Sequence, residues 1–560
     1  MTDVSGTTTL TQTTSTTYVS GTSGYDYSSL IEAEYQEALS ESYTLADEVS
    51  EDQAIVAAYE EMETYLQEFE DALTTLTDTA TDTDDNVFDD KAAYLTSDSD
   101  VPADNIMGVL VEDDAVSGSY QIEVEQIATA HKIASDTVAD ADADLGLDGT
   151  FNLSTATGGS VDIVIDATTS LNDLVDLINS ETDATGVSAS VLQVSETEFM
   201  MVLTASNTNE EITFATVSGD DVAQSLGIID GAGIYQNELQ AAEPAILTID
   251  GVTVERDSNS IDDLLEGVTI SLYTANPGTT ITLEVAEDLS GIKEAVQAFV
   301  DAYNNYRNFA IVQQATTTSG EASADAVLFG DSLLRNANSE IYNLLNTSVE
   351  YGDDEVLSLA SFGITFNWDN TLTIDEDVLD EVLLSEPEKI EAFFSFNATT
   401  SSSDLGITAH DGIFGDMDFD MNITVDGAGD MTSVDVGGDT SLFTIDGKVI
   451  SGAEGTEYEG LSFIYTGDAT TTVNISISQG IADQMRYSLD NWANESSGIL
   501  SEIINDMEES ISDKNEEISE IESDAANYYD DLVEYYAELE AEIAEYEAVL
   551  DTLTALTSED

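Results

Sequence analysis

Apolar residues recur at alternating three- and four-residue steps near both ends of the chain. The first stripe runs from about Ser28 to Leu76 and has a weak centre at 50–53. The second runs from Leu500 to Leu553, with Lys514 at one of its positions. So narrow a stripe is typical of a coiled coil rather than of a helix that covers a globular core. We therefore expect two long helices that pair with one another.

Between the two stripes the period of the apolar pattern falls to two, which predicts β-strands. The predicted strands are 118–124, 161–166, 245–251, 267–273 and 279–285. Helical spacing returns at 170–180, 290–312, 331–346 and 375–395. The expected fold class is therefore α+β and multidomain, with terminal coiled-coil helices forming a leg or stalk, a helical body, and inserted antiparallel β-rich domains.

One β pattern occurs twice. The segments LTIDGVTV, GVTISLY and TTITLEV at 247–285 recur as FTIDGKVI, GLSFIYT and TTVNISIS at 443–478. In both copies an Asp-Gly pair follows an alternating strand, as a tight hairpin turn requires. The repeat predicts a second β module at about 405–478.

These patterns divide the chain into six segments. The first, 1–27, is rich in Thr, Ser and Gly and is expected to be a disordered terminal segment. The others are a coiled-coil leg and body at 28–110, β-rich outer domains at 111–288 with a nested module at 140–240, a helical body at 289–398, an additional β module at 399–478, and a second coiled-coil leg at 479–560.

The charge of the chain is almost entirely of one sign. Its 560 residues include 116 Asp and Glu against 10 Lys and Arg, a formal net charge of −106. Nucleic acids and anionic membrane surfaces need basic footprints and are excluded as main partners. Disorder does not follow, because 42% of the residues are hydrophobic and can build cores.

Candidate chemistry is sparse. The chain has no cysteine, and its histidines, His131 and His410, lie far apart. No G-x-S-x-G motif accompanies them, so we expect no enzyme. The start of the chain lacks the basic and apolar regions of a Sec signal, and no run of 18 apolar residues predicts a membrane span.

Acidic residues at alternate positions raise the question of calcium. Asp140, Asp142 and Asp144 have the ligand spacing of a calcium loop, but Leu145 stands where an EF-hand needs glycine. They are weak candidates, as are the alternating aspartates at 416–420. No cofactor is expected.

Several segments together resemble the flagellar hook-associated protein 2 family, the FliD-type filament caps. A glycine-bounded entry into the first helix is formed by Gly21, Gly24, Asp26, Leu30 and Ile31. Four further segments resemble the family in order along the chain: 118–135, 170–191, 245–306 and 362–394. Within 245–306 the specific features are the IDG turn, Ser258-Asn259, Phe299-Val300 and Tyr303-Asn304. Residues 400–445 have no recognisable counterpart in that family.

The resemblance implies a non-enzymatic structural protein at the distal tip of the bacterial flagellum. It implies a homo-oligomeric ring, often of five subunits, that admits flagellin, promotes its folding and insertion, and prevents its loss. Flagellin, hook–filament junction proteins and an export chaperone are the implied partners. The localisation would be extracellular, after type III export through the flagellar channel. An acidic extracellular adhesin, with β modules on a coiled-coil stalk, remains the alternative.

The stripe residues are the candidates for self-assembly and partner contacts. They would either close an intramolecular hairpin or await another subunit, and both possibilities stay open. The candidates are Leu30, Ile31, Tyr35, Leu45, Val49, Tyr59, Leu66, Phe69, Leu500, Ile504, Met507, Ile511, Leu532, Leu539 and Leu550.

The charge affects these helices most. No Lys or Arg occurs in 1–90, and Lys514 is the only one in 500–560. Because molar salt shortens the Debye length to roughly 3 Å, we expect the protein to work in a saline medium, as halophilic acidic proteins do.

Overall fold

The computed structural model describes residues 27–77, 86–352 and 355–557. They divide into two units. One is 86–293, and the other combines the chain before residue 86 with the chain after 293. None of the helices in these described ranges combines the length and the apolar content that a membrane span needs.

The first apolar stripe forms two helices in succession, α1 (Ser28–Ala38) and α2 (Ser40–Thr74). The break lies at Leu39, and α2 continues without interruption through the weak centre at 50–53. Polar residues at that level weaken the apolar stripe but are good helix formers, so they do not end the helix.

The unit of 86–293 contains fifteen strands in its described residues. They are β1 (Lys91–Ser97), β2 (Met107–Val111), β3 (Gly118–Gln126), β4 (Ala130–Ala134), β5 (Gly149–Ser154), β6 (Ser160–Ile165), β7 (Val187–Ser195), β8 (Glu198–Thr208), β9 (Thr213–Gly219), β10 (Glu238–Gln240), β11 (Ala245–Ile249), β12 (Val252–Arg256), β13 (Ser260–Leu265), β14 (Val268–Leu272) and β15 (Ile281–Glu287). Its helices are α3 (Leu171–Ser180), α4 (Thr182–Thr185) and α5 (Val222–Ser225).

Two sheets of this unit pack into a sandwich. Their strand orders are β1-β15-β3-β11-β12 and β13-β14-β2. Because β1 pairs with β15 and β2 with β14, residues 91–111 belong to the β unit. The predicted boundary at 110 therefore lies too late, since the local sequence of these two strands does not reveal their distant partners.

A nested module lies between β3 and β11. Its sheets are β10-β4-β8-β7 and β6-β5-β9, and α3 packs against their shared core. Ser170 and Asp173 cap α3 reciprocally, as a capping box. The predicted start at 140 is too late, because β4 at 130–134 already belongs to this module. The segment 118–135 accordingly contains two strands, β3 and β4, that lie in different sheets.

The helical body follows. It contains α6 (Leu289–Gln313), α7 (Ser332–Leu345), α8 (Glu376–Ser385) and α9 (Pro387–Phe394), with two short hairpins, β16 (Val349–Tyr351) with β17 (Glu355–Leu357) and β18 (Ile364–Phe366) with β19 (Leu372–Ile374). The single helix predicted at 375–395 is divided at Glu386, because Pro387 cannot donate to the preceding turn. Aromatic rings pack together in the core here. The ring centroids of Phe69 and Phe299 are 5.8 Å apart, and those of Phe299 and Phe394 are 5.4 Å apart.

A second β sandwich comes next. Its strands are β20 (Phe396–Thr400), β21 (Leu405–His410), β22 (Met417–Val425), β23 (Met431–Val436), β24 (Phe443–Asp446), β25 (Val449–Gly452), β26 (Leu461–Tyr465) and β27 (Thr471–Gln479). They form the sheets β20-β27-β22-β23 and β21-β26-β25-β24 around one apolar core. The first strand begins at Phe396, shortly before the predicted boundary at 399.

The two sandwiches share one strand arrangement. Without the nested module, the first sandwich has eight strands in sheets ordered 1-8-3-4-5 and 6-7-2, and the second has sheets ordered 1-8-3-4 and 2-7-6-5. Only the fifth strand changes sheet. The repeated IDG hairpin does not stand at the equivalent place in the two sandwiches: it joins the fourth and fifth strands, β11 and β12, in the first and the fifth and sixth strands, β24 and β25, in the second. A turn motif specifies a hairpin and not the sheet that the hairpin joins.

Two helices complete the described chain, α10 (Ile481–Ala493) and α11 (Ile499–Thr557). The second contains the whole C-terminal stripe in one continuous helix.

Candidate assembly surface

The helices at the two ends of the chain pair in antiparallel orientation. Tyr27 stacks on Tyr536 with ring centroids 4.9 Å apart, and further along, Ser501 Oγ donates to Glu63 Oε1 at 2.7 Å. Residue numbers rise along α1 and α2 as they fall along α11. The two stripes therefore contact each other within one chain.

A single lysine links the two helices at the weak centre of the first stripe. Lys514 Nζ lies 2.8 Å from Asp52 Oδ2 and 3.1 Å from Glu48 Oε2. These hydrogen bonds raise the pKa of Lys514, with that to Asp52 contributing most. The polar centre of the first stripe, at 50–53, therefore faces the polar interruption of the second stripe, at Lys514.

The predicted contact residues differ in burial along the helix pair. Those toward the helical body are buried: Val49, Tyr59, Leu66, Phe69, Leu500 and Ile504, together with Ile31 of α1. Tyr35, Leu45, Met507, Ile511, Leu532 and Leu539 are half-buried. Leu30 and Leu550 are exposed, at 44% and 60%. The far part of α11 therefore keeps apolar side chains open to solvent.

Tyrosines occupy the far part of the pair. Tyr35 contacts Tyr529 edge to face at 5.2 Å, and Tyr528 donates its hydroxyl to Glu34 Oε2 at 2.7 Å. Burial raises the pKa of Tyr35, and the bond to Glu34 raises that of Tyr528. Both hydroxyls accordingly stay neutral, and no further charge is added to these acidic helices.

A partly buried carboxyl lies where α2 meets α10. Burial and, to a smaller extent, the neighbouring Asp490 raise the pKa of Glu70 to about 7, with Arg486 opposing the shift. Gln67 Nε2, one turn earlier, donates to the carbonyl of Ala493 at 2.8 Å. The base of the helix pair therefore contains a group that titrates near neutral pH.

Tyr59 joins the helix pair to the body. Its hydroxyl donates to Asp331 Oδ2 at 2.9 Å, while Asp331 Oδ1 accepts from the backbone of Leu334 and caps α7. Burial and the hydrogen bond to Asp331 raise the pKa of Tyr59. Tyr59 was predicted only as an apolar stripe residue; its polar contact was not.

The contacts that sequence reasoning missed are mainly polar. Glu34 and Glu63 bond across the pair and Gln67 bonds to the end of α10, but all three flank the apolar stripe and look like any other acidic or amide position. A regular spacing of three or four from the stripe is the one signal that could have indicated them.

The weak calcium candidates do not form a metal site. Asp140, Asp142 and Asp144 are exposed, and Asn172 donates to Asp142 at 2.7 Å. Within the described ranges, no group of three His, Asp or Glu side chains is placed to hold a metal ion.

Both histidines are structural. His131 is fully buried and accepts from the backbone of Ile212 at 2.9 Å. His410 stacks on Phe396 with centroids 4.0 Å apart, and its Nδ1 lies 3.2 Å from Asp483 Oδ1. The predicted terminal segment 1–27, with Gly21, Gly24 and Asp26, lies outside the described residues apart from Tyr27.

The chain matches three family models in order. The C-terminal model of flagellar hook-associated protein 2 matches residues 242–548, more than half of the chain. The chain belongs to the flagellar hook-associated protein 2 family. The N-terminal model of the same family matches 23–131, and the flagellin hook IN motif matches 150–207 in the nested module. The resemblance noted from the sequence is therefore confirmed, and the family is structural, not enzymatic.

Characterised relatives are moderately similar. The B-type flagellar hook-associated protein 2 of Pseudomonas aeruginosa is 30% identical over 311 residues, which is 52% of this chain and 64% of the relative. The flagellar hook-associated protein 2 of Escherichia coli is 28% identical over 384 residues, 66% of this chain and 78% of the relative. The match thus spans less than two thirds of the Pseudomonas protein.

Two solved structures are also similar. The D1-D2-D3 domains of the flagellar cap protein FliD from Escherichia coli are 22% identical, with a TM-score of 0.47, over 80% of this chain and 99% of that one. FliD (HAP2) from Pseudomonas aeruginosa is 28% identical, with a TM-score of 0.31, over 38% of this chain and 98% of that one.

Proposed function

We propose that this protein caps the distal end of the flagellar filament. In that position an oligomeric ring promotes the folding and insertion of flagellin and prevents its loss. The observation that supports this most is the collinear set of family matches, which covers the N-terminal, IN-motif and C-terminal regions.

The antiparallel helix pair is the proposed leg of the cap. Its two stripes contact each other near the body, and its far part exposes Tyr535, Tyr546 and Leu550. Exposed apolar surface of this kind is typical of docking sites. We propose that the buried stripe residues hold each leg together and that the exposed ones contact flagellin or a neighbouring subunit.

Ring formation, with the pentamer as the expected state, belongs to this proposal. So do export through the flagellar channel, an export chaperone, contacts with hook–filament junction proteins, and an extracellular position at the filament tip. The charge of −106 favours a saline working medium, because a ring of such subunits repels itself unless salt screens it.

A deletion strain tests the capping function. Loss of the protein should stop filament growth and release unassembled flagellin into the medium, and complementation should restore motility. Purified protein should also bind the distal ends of isolated filaments. Normal filaments in the deletion strain would overturn the proposal. Binding to host glycans without filament capping would instead support the adhesin alternative.

A further inference from the structure

A cluster of tyrosines occupies the far part of the helix pair, where the start of α1 lies beside α11. Its members are Tyr27, Tyr35, Tyr528, Tyr529, Tyr535 and Tyr536. The rings of these side chains supply apolar packing, and each phenol adds a hydroxyl that can lose a proton and an electron. The cluster therefore carries chemistry beyond packing.

Tyr27 and Tyr536 are stacked face to face within this cluster. Their ring centroids are 4.9 Å apart, and their planes are inclined by 19°. Nearly parallel rings at this separation bring carbons of the two ring edges close to van der Waals contact. The contacts of Tyr35 with Tyr529 and of Tyr535 with Tyr536 are edge to face, at 67° and 75°. Among the described residues, the stacked pair is thus the tyrosine pair placed for a bond between ring carbons.

This pair joins the two ends of the chain. Tyr27 precedes α1, and Tyr536 lies in α11, more than 500 residues later in the sequence. The chain contains no cysteine, so a disulfide cannot link its ends, whereas it contains 23 tyrosines. A covalent bond between the two rings would hold α1 against α11 and would restrict the unfolded chain, as a long-range disulfide does.

A carboxylate beside the pair can accept the proton that a phenol loses on oxidation. Tyr528 donates its hydroxyl to Glu34 Oε2 at 2.7 Å. Burial, and to a smaller extent the carboxylate of Glu34, raises the pKa of Tyr536. The phenols are therefore neutral, and a neutral phenol loses its electron most readily when a base takes its proton at the same time. Glu34 is placed to be that base.

An oxidant can reach the cluster from solvent. Tyr528 and Tyr535 are 43% and 59% exposed, whereas Tyr27 and Tyr536 are half-buried. Tyr535 is in ring contact with Tyr536, with centroids 5.2 Å apart. An oxidised Tyr535 can therefore take an electron from Tyr536, which moves the radical from an exposed ring to the stacked pair.

We propose that Tyr27 and Tyr536 form an oxidative cross-linking site, at which a haem peroxidase and hydrogen peroxide join them as dityrosine. Each phenol loses one electron and its hydroxyl proton and becomes a phenoxyl radical. The two radicals combine through the ring carbons ortho to oxygen, and the hydrogen on each of these carbons moves to the oxygen and restores the phenol. Hydrogen peroxide takes up the two electrons and two protons and leaves as two molecules of water. This site does not depend on the capping function.

Treatment of the full chain with a haem peroxidase and hydrogen peroxide tests the site. The reaction is run at low protein concentration in about 1 M NaCl, which screens the acidic helices. The expected product is a single chain with the blue fluorescence of dityrosine and a mass lower by two hydrogen atoms. After proteolysis it should yield a cross-linked peptide pair containing Tyr27 and Tyr536. Coupling between two chains, or of Tyr35 to Tyr529 instead, would overturn the assigned pair.

Phenylalanine variants separate this pair from the other tyrosines. Tyr27→Phe and Tyr536→Phe keep the stacked ring but remove the oxidisable hydroxyl. Each should abolish the single-chain product, while far-UV circular dichroism shows unchanged helix content. Tyr273→Phe is the matched control, since Tyr273 is 57% exposed in the β unit and lies outside the helix pair, and it should cross-link like the wild type. An undiminished single-chain product in Tyr27→Phe would overturn the proposal.

Unfolding tests whether the fold positions the two rings. In urea, which separates the helices, the same treatment should lose its preference for the peptide pair that contains Tyr27 and Tyr536. An equal yield of that pair in urea would overturn the site as a product of the folded geometry. The cross-linked protein, returned to buffer, should also unfold at a higher temperature than the untreated protein, and an unchanged midpoint would contradict the predicted restraint on the two ends.

Discussion

Lys514 and Asp52 meet at the one level of the helix pair where both apolar stripes are interrupted, with Nζ and Oδ2 2.8 Å apart. Below and above this level the pair is held by apolar and aromatic contacts between two acidic helices. The lysine therefore compensates charge at the position where apolar packing contributes least.

Replacing Lys514 by methionine should destabilise the helix pair. Methionine keeps most of the apolar stem but leaves Glu48 and Asp52 without a counter-charge, so repulsion between α2 and α11 increases. The midpoint of thermal unfolding should fall by about 2 °C at low salt. Lys448→Met is the matched control, because this lysine donates to a backbone carbonyl and forms no ion pair among the described residues. An equal effect of the two substitutions would contradict the prediction.

Added salt should stabilise the helix pair and its assembly. Raising ionic strength to about 1 M reduces the Debye length to roughly 3 Å and so screens carboxylates on neighbouring turns. Helical circular dichroism and the unfolding midpoint should both rise with NaCl, and the penalty of Lys514→Met should shrink. Sucrose controls for solute effects that do not involve charge. A ring that stays intact in dilute buffer would contradict the predicted requirement for salt.

Glu70 predicts a specific pH dependence. Its pKa is raised from 4.5 to about 7 in the folded protein, so folding favours the protonated form. This carboxyl therefore contributes no penalty below about pH 4.5, and its destabilising effect grows until about pH 7. Glu70→Gln should stabilise the protein by about 1–2 kcal/mol at pH 8, allowing for partial exposure, and by nothing at pH 4.5.

The difference in unfolding free energy between Glu70→Gln and the wild type isolates this carboxyl from all the others. Glu68→Gln is the control, since Glu68 is exposed on the same helix. A stabilisation by Glu70→Gln that is the same at both pH values would contradict the assigned titration.

Asn304 should control the rigidity of the hairpin that carries Trp368. Asn304→Ala removes both hydrogen bonds to the backbone of Leu372 and should cost about 1–3 kcal/mol of stability. In a Trp492→Phe background, Trp368 is the only tryptophan, so its fluorescence anisotropy reports the motion of the tip directly. The anisotropy should fall in Asn304→Ala, and the exposed neighbour Asn305→Ala should leave it unchanged.

Periodicity predicted the helices well because each is long and its stripe is regular. The antiparallel pairing of α2 with α11 also followed from two matching stripes, and the alternating strands β3, β14 and β15 lie close to their predicted positions. These features depend on the residues of one element and are therefore visible in the local sequence.

Features that depend on distant partners were not predictable in this way. Strands β1 and β2 were assigned to the N-terminal helical part, because their pairing with β15 and β14 spans more than 150 residues. Nor could the sequence show that Tyr303, Asn304 and Arg307 donate to the backbone of the β18–β19 hairpin, although the first two had been singled out as part of a motif. Trp368 was simply one of two tryptophans until its exposure in the turn of that hairpin was known.

The connection between the third and fourth strands differs greatly between the two sandwiches. In the first it carries the nested module, and in the second it is a short turn in which Asp426 accepts from the backbone of Ala428 and Asp430. The sandwich therefore accommodates either a few residues or a folded domain at the same corner. Residues 427–429 are consequently a suitable position for displaying a foreign peptide or domain on this scaffold, since the entry and exit of the chain are already adjacent there.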